Sequence, residues 1–572
     1  MPELPEVETV KNKLLPSLKN KTIKSVEVYY EKHSSLRQIK DEKILDIKRK
    51  GKYLIFVLES YFMVSHLRME GKYFITSQER INKHDLVKFI FDDFNLIYND
   101  VRKFGTFNLF NKDEDIYNIY PLVEVGMEPF DIDKDTLYNL LNKRTEPIKS
   151  ALLDQSIIAG LGNIYVDEVL FLSKINPYQK ANTITLEETE RIIDSSIKTL
   201  NKAIKLGGST IKSFESLNHE IGHFQTELLV HLREGERCYT CNGYIIKDRC
   251  GGRGTYYCPT CQRLNKNQKL IAITGTFSSG KSTVLKILKE LNYSTYSLDE
   301  IYNDLFMNSK EMLRSIKKSL GVTSKEELRD LVFSDESKNK LLMDATHKYV
   351  MEALYKKIEK DNNSLIFVET PLLFEGKLEK TFDKVIDVYE SEEVLSQILK
   401  NKGFSFEEYQ KRIKSQLSKE EKRQKADYIV YNDGTQKDLF VKIKGLLKKH
   451  GGIKMGVLRK EISTSLNNRN YRLKTRFYRN SLKEIKDAFE KICFEENKSL
   501  RQADESEGKM YISTQEYEVF IKVLSESSVE SSVDLSVHYF VSSMFKNPKR
   551  IIYNLYKKLD NLLIFKGTTN TV

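Results

Sequence analysis

Few eight-residue runs restrict a fold as tightly as Gly275-Thr276-Phe277-Ser278-Ser279-Gly280-Lys281-Ser282. A β-rich run, Ile271–Thr274, leads into it and an amphipathic pattern follows, so the glycines fall on a strand-to-helix turn. On such a turn backbone amides cradle phosphates, a lysine placed like Lys281 neutralises them, and a hydroxyl placed like Ser282 ligates magnesium. The motif predicts a site for ATP and Mg2+ built from Gly275, Thr276, Phe277, Ser278, Ser279, Gly280, Lys281, Ser282 and Thr283. From Leu270 to about Leu447 apolar strands alternate with amphipathic helices, the pattern of an α/β domain with a parallel sheet.

A chain of 572 residues exceeds what one hydrophobic core supports, and several domains are expected. No apolar run is long enough to span a bilayer, and the N-terminus lacks a basic-then-apolar signal pattern. A cytoplasmic location with no membrane partner is therefore expected. The net charge of +12 suggests nucleic acid, yet residues 1–265 hold 38 basic and 37 acidic side chains. Any DNA contact made there has to come from local arrangement rather than bulk charge.

Four of the six cysteines form two C-x-x-C pairs, Cys238 with Cys241 and Cys258 with Cys261, separated by sixteen residues. In a cytosolic chain that spacing reads as tetrahedral thiolate zinc, one structural Zn2+ per chain, stapling a short hairpin. Cys250 lies between the pairs as a bystander, and Cys493 reads as a small core residue.

Local patterning divides the chain further. Val7, Val10, Leu14 and Leu15 make a helical stripe opened by Pro5. Short β-rich runs then follow to about Phe110, predicting a β-sandwich domain over residues 1–130. Residues 131–225 read helical, 226–265 as the zinc finger, 269–450 as the P-loop domain and 455–572 as a small α+β domain. The fold class is thus multidomain.

Pro2 offers a specific chemistry. Once Met1 is removed it presents a secondary amine, and α-amino groups titrate near pH 8 against about 10.4 for lysine. Such an amine can attack a sugar C1′, displace the base and form a Schiff base, while the neighbouring Glu3 carboxylate moves protons. Proline in second place also simply permits methionine removal and starts a helix, so the reading needs company.

That company is extensive. The opening Pro2-Glu3-Leu4-Pro5-Glu6-Val7-Glu8-Thr9 resembles the start of formamidopyrimidine-DNA glycosylases. So do Lys50-Gly51-Lys52-Tyr53-Leu54, His66-Leu67-Arg68-Met69-Glu70-Gly71, Asp100-Val101-Arg102-Lys103-Phe104-Gly105, Gly160-Leu161-Gly162-Asn163-Ile164-Tyr165 and Gly252-Arg253-Gly254-Thr255. The resemblance covers residues 2–261 in the family's order. It implies Pro2, Glu3, Lys52 and Arg253 as catalytic residues. It implies His66, Met69, Arg102, Phe104, Asn163 and Arg253 as DNA-binding residues, with Met69, Arg102 and Phe104 filling the gap left by a flipped nucleotide. Asn163 belongs to the implied helix–two-turn–helix motif, where glycines before a helix let backbone amides approach a phosphate. Ser213–Gln225 is the implied loop over the flipped base. The implied substrate is double-stranded DNA carrying 8-oxoguanine or formamidopyrimidine, excised and then nicked by lyase chemistry, with the chain acting as a monomer. Lys103 stands where the family often has a second arginine and Ser156 where some members have lysine, which leaves base preference open.

Residues 270–450 are similar to dephospho-coenzyme A kinase, which implies ATP and dephospho-CoA as partners. Asp299 matches the aspartate that orients or deprotonates the acceptor hydroxyl. His347, Pro371-Leu372-Leu373-Phe374-Glu375, Arg412, Gln416, Ala426-Asp427, Asn432 and Gly434 match further motif positions. Two departures stand out. Gln397 and Asn401 fall where the lid helix carries arginines, and the P-loop lacks the family's extra glycine. A non-catalytic, ATP-binding regulatory domain is the alternative to a kinase.

Residues 455–572 carry no motif of chemistry. The run Tyr471–Arg479 interleaves basic and aromatic residues, which suits either nucleic acid or one amphipathic strand. Gly451-Gly452-Ile453-Lys454-Met455 can be encoded by a ribosome-binding sequence and a start codon, as if neighbouring reading frames had been joined. A non-catalytic lesion-binding protein remains a third reading, and it requires Met1 to stay attached.

Overall fold

In the computed structural model the apolar stripe of the N-terminus forms helix Leu4–Leu18, entered through Pro5 in the first turn. The structure describes residues 1–77, 82–209, 222–322, 324–334, 336–401, 403, 405–413, 416–448, 461–463, 475–496, 498–504, 509–513, 517–527, 530–539 and 548–567. They fall into two compact units, Met1–Lys266 and Asn267–Val572.

In the first unit the strands expected up to Phe110 build two antiparallel sheets. One runs in the order Thr22–Ile23, Glu42–Lys50, Tyr53–Leu58, Tyr61–His66, Thr106–Asn111. The other runs Ser25–Val28, Asp85–Ile90, Asn95–Asn99, Lys72–Thr76. Period-two alternation sends Leu54, Phe56 and Leu58 into the sandwich core, while Ile55 joins Val64, Ile116 and Leu122 on the opposite face.

Helix Leu4–Leu18 serves two cores. Val7, Val10 and Leu14 pack with Phe56, Phe89 and Tyr98, whereas Leu4 packs with Ile148, Leu161 and Tyr165 of the helical half. That half holds helices Lys134–Asn142, Ile148–Leu153, Asn163–Leu172 and Leu186–Lys205. The last begins with a reciprocal Thr185–Glu188 capping box. The cysteine segment folds as an antiparallel hairpin, Ile246–Cys250 against Arg253–Tyr257.

In the second unit five parallel strands run in the order Ser294–Ser297, Leu365–Glu369, Lys269–Thr274, Lys384–Tyr389, Tyr428–Tyr431. The order reverses at Lys269–Thr274, the place where a doubly wound sheet opens a crevice for ligands. Residues beyond 460 form an antiparallel sheet whose apolar face takes helices Leu482–Glu495 and Pro548–Leu562. The mixed multidomain fold class is as expected from the sequence. Of the basic–aromatic run at 471–479, positions 471–474 lie outside the described residues. Arg476–Tyr478 is an interior strand: Arg476 pairs with Asp560 at 3.0 Å, and the Tyr478 hydroxyl donates to the same carboxylate at 2.9 Å. These two side chains are core struts, closed to a nucleic acid. Among the described residues no helix is long and apolar enough to cross a membrane.

Candidate active sites

Glu3 is buried, and its carboxylate sits on the N-terminus of helix Asn163–Leu172. There Ile164 N donates to Oε1 at 3.0 Å and Tyr165 N to Oε2 at 3.4 Å. Amides at such a helix start suit an anion such as a phosphate. The structure gives them to an internal anion that answers the same unpaired N–H groups and helix dipole. It also supplies the reason for Gly162: a Cβ there would lie 2.3 Å from Glu3 Cδ. Gly160, with φ of +96°, accepts from Leu4 N at 3.1 Å, so the segment before the helix wraps the first residues of the chain.

Lys52 stands on the turn between strands Glu42–Lys50 and Tyr53–Leu58. It is buried, and its Nζ donates to Leu161 O at 2.7 Å. Burial lowers its pKa, the carboxylates of Glu3 and Glu6 oppose that, and the Arg253 guanidinium adds to it. The four side chains therefore share one electrostatic neighbourhood beside Pro2, which is buried while Met1 is 48% exposed.

Sequence reasoning overlooked Glu6 as a site residue, although its spacing from Glu3 at a helix start was a usable signal. Tyr165 Oη donates to Glu6 Oε1 at 2.6 Å, Ser209 N to the same oxygen at 2.7 Å, and Glu3 N to Oε2 at 2.9 Å. Burial and the Glu3 charge push Glu6 up to about 6 from an ordinary 4.5. The folded state thus binds this proton more tightly than the unfolded one. The stability it contributes is full below the ordinary value and is lost as pH rises through about 6. Protonation costs one accepted hydrogen bond, so excision is expected to decline on the acid side with an apparent pKa near 6 that Glu6→Gln removes. A pH–rate profile identical in the two proteins would show Glu6 to be silent.

The two loops expected to carry the wedge converge on one ring. Cβ atoms at Gly71 and Gly105 would stand 2.4 Å and 1.7 Å from the Tyr98 hydroxyl, so both loops turn tightly over that buried side chain. Asp100 shapes the second loop, accepting from Arg102 N at 3.0 Å and Gly105 N at 2.8 Å. Arg102 lies over the Phe104 ring at 4.7 Å, with both side chains exposed, and Met69 is half-buried on the first loop. His66 is buried against Tyr53. Its Nδ1 accepts from Arg68 N at 2.9 Å, and burial with nearby Arg68 and Lys52 brings it down to about 3, so the ring is neutral. Residues 213–221 of the expected loop over the base, Ser213–Gln225, lie outside the described residues.

The sulfur atoms of Cys238, Cys241, Cys258 and Cys261 lie within 4.8 Å of one another, with Cys238–Cys261 at 3.8 Å and Cys241–Cys258 at 3.4 Å. A tetrahedron with Zn–S bonds of about 2.3 Å has edges of about 3.8 Å, so the donor set fits zinc. The finger tip is anchored to the helical half at Gly254 O, which accepts from Asn163 Nδ2 at 3.0 Å and Lys149 Nζ at 2.9 Å. Lys149 in turn pairs with buried Asp167 at 2.7 Å, which also holds His231 Nδ1 at 2.8 Å. Arg253 projects, exposed, beside this anchor. Lys149 and Asp167 carried no sequence signal, because their meaning lies in their pairing and in the finger residues Gly254 and Tyr256, which are 105 and 89 residues away from them respectively.

In the second unit the loop after strand Lys269–Thr274 leads into helix Lys281–Glu290, with Gly275, Ser278 and Gly280 at φ of +147°, +66° and +99°. Lys281 is buried and donates to Thr276 O at 2.6 Å and Gly275 O at 3.1 Å. Ser282 and Thr283 open the helix, Ser282 exposed. Asn432 Nδ2 donates to Ser279 O at 3.0 Å, anchoring the far end of the loop. Asp299 follows strand Ser294–Ser297 and lines a cavity of about 190 Å³ with Tyr302, Thr346, His347, Thr370 and Pro371. In the lid helix Glu392–Asn401, Gln397 is exposed, while the Asn401 and Arg412 side chains lie outside the described residues.

A sandwich, a helical half and a four-cysteine finger gathered on one acid–base cluster, joined to a P-loop domain of kinase type, define a DNA-repair glycosylase with a second enzymatic fold. The formamidopyrimidine-DNA glycosylase N-terminal domain model matches residues 1–107, the H2TH domain model of the same enzymes residues 125–215, and the dephospho-CoA kinase model residues 269–438. The formamidopyrimidine-DNA glycosylase of Bacillus cereus is 47% identical over 274 residues, 46% of this chain and 99% of that protein. That of Mycoplasma mobile is 43% identical over 275 residues, 46% of this chain and 100% of that protein. The chain belongs to the formamidopyrimidine-DNA glycosylase family. Among solved structures, Lactococcus lactis Fpg in complex with abasic-site DNA is 41% identical, covers 46% of this chain and 99% of its own, and has a TM-score of 0.44.

Proposed function

We propose that residues 2–262 excise oxidised purines, 8-oxoguanine and formamidopyrimidine, from double-stranded DNA and then nick the strand, with the Pro2 nitrogen as nucleophile. The nitrogen attacks C1′, the C1′–base bond breaks with its electron pair going to the base, and the sugar ring opens to an iminium at Pro2. Successive eliminations release the phosphates, and water frees the amine. Glu3 moves the protons, while Lys52, Asn163 and Arg253 hold the backbone phosphates. Met69, Arg102 and Phe104, on loops supported beside His66, fill the vacated stack. Zinc on the four cysteines supplies structural cross-linking only. The observation that carries the reading is the buried Glu3–Glu6–Lys52 cluster at Pro2, tied through Asn163 to the finger tip. On this reading residues 1–130, 131–225 and 226–265 act as sandwich, helical and finger parts of one monomeric enzyme.

Residues 269–450 are read as an ATP- and Mg2+-dependent dephospho-CoA kinase. The loop Gly275–Thr283 holds the nucleotide, and Asp299 orients the acceptor hydroxyl in the adjoining cavity. The exposed Gln397 in the lid favours one rival, an ATP-binding regulator without transfer activity, and turnover with dephospho-CoA separates the two. Residues 455–572 are left without an assigned activity.

Borohydride trapping on a duplex with one 8-oxoguanine tests the first reading. A covalent band is expected from the mature chain, a weaker one from Pro2→Gly and none when Met1 is retained, because an acylated nitrogen cannot form the iminium. No band from zinc-replete mature protein would overturn it.

A further inference from the structure

Thr276 follows the first glycine of the P-loop, and the structure gives its side chain partners outside the loop. Thr276 is buried and its Oγ1 donates to Glu390 Oε1 at 3.0 Å. Glu390, also buried, immediately follows strand Lys384–Tyr389, and the same oxygen pairs with Lys419 Nζ at 2.8 Å. Between Glu390 and Lys419 run helices Glu392–Asn401 and Phe406–Ile413, so this ion pair joins the two stems of the lid segment at the P-loop hydroxyl. The next loop residue makes a second connection. Phe277 packs against Leu395, Leu399 and Tyr409, the small core of the lid itself.

We propose that Thr276 and Phe277 are lid-docking residues, positioning groups through which the nucleotide loop holds the segment 392–413 over the bound ATP. The inference rests on the nucleotide-binding reading above. Its energetic basis is the isolation of Glu390. The other oxygen, Oε2, is buried with no hydrogen-bond partner among the described residues, so the carboxylate depends on Thr276 and Lys419. Losing one donor to a buried carboxylate leaves a desolvated charge underserved, and the stem pair loosens. A threonine makes the loop and lid one assembly, so lid order and ATP affinity rise together.

The experiment uses the full chain, ATP with Mg2+, and titration calorimetry. Because the chain has no tryptophan, Phe406→Trp at an exposed lid position adds a single emission reporter. Thr276→Val is expected to weaken ATP about tenfold and to shrink the ATP-dependent emission change, while Thr276→Ser keeps both near wild type. Lys419→Met, on the far side of the same carboxylate, is expected to weaken ATP similarly. The double variant should be no worse than either single one, because they break one unit. Thr276→Val binding ATP as tightly as wild type, or strictly additive losses in the double variant, would overturn the proposal. Failure of the wild-type chain to bind ATP would instead sink the nucleotide-binding reading, and the docking proposal with it.

Discussion

Alanine in place of Gly162 is expected to slow base excision by about 10²–10⁴-fold, the range associated with losing a positioned acid–base group. The added methyl would stand 2.3 Å from Glu3 Cδ and 2.5 Å from Oε1, so one of the two must move. The helix cannot yield easily: Tyr165, Val166 and Val169 behind it are fully buried, and Asn163 is tied to Gly254 O. Glu3 therefore leaves the amides of Ile164 and Tyr165, loses its charge-stabilising bonds, and no longer stands beside Pro2. The measurement is single-turnover release of 8-oxoguanine from a duplex, run beside Glu3→Gln. The two variants should be similarly slow, while affinity for undamaged duplex changes little, because Glu3 serves chemistry rather than phosphate. Excision by Gly162→Ala within threefold of wild type would show that Glu3 does not act from its place on the helix.

That example marks the line between what the sequence carried and what it withheld. Spacing was enough for the helix from Leu4, the strands up to Phe110, the four cysteines and the strand–loop–helix around Lys281, because each is a local or fixed-interval pattern. The presence of Gly162 was legible but its reason was not. The anion at the helix end comes from residue 3, and no periodicity links positions 3 and 164. Glu6 went unnoticed for a related cause: its partners Tyr165 and Ser209 are distant in the chain, and its raised pKa is a property of burial. Lys52 was singled out by its motif, but its burial and its bond to Leu161 O were not legible, because that carbonyl lies 109 residues along the chain. Thr276 was legible only as a member of the nucleotide loop, and only the fold supplies Glu390 and Lys419 to show what the hydroxyl holds. Arg476 and Tyr478 suited an amphipathic strand as well as a nucleic-acid surface, and the structure shows the strand, with Asp560, which no local pattern discloses, as their partner.

Removing zinc, by chelation or by Cys258→Ala, is expected to weaken binding of abasic-site duplex by at least about two orders of magnitude and to leave ATP binding intact. Strands of five residues each, Ile246–Cys250 and Arg253–Tyr257, cannot hold a hairpin alone. The finger's apolar core is small, with Cys238, Cys241 and Cys258 packed among Val230, Ile245 and Tyr256, so the thiolates are a large part of it. A structural zinc supplies roughly 10–16 kcal/mol of folding free energy in such modules, more than this core can replace. The consequences extend beyond the finger. When Gly254 O withdraws, Lys149 and Asn163 lose an acceptor, and the fully buried Lys149–Asp167 pair keeps its desolvation cost with fewer hydrogen bonds. Arg253 and Asn163, the two expected phosphate contacts on either side of that carbonyl, then lose their common anchor. Calorimetry should show a downward shift in the melting of residues 1–266, with fluorescence anisotropy reporting the lost duplex affinity. Chelated protein that still binds the duplex at wild-type strength would mean that the finger is a passenger and that the helical half grips DNA alone.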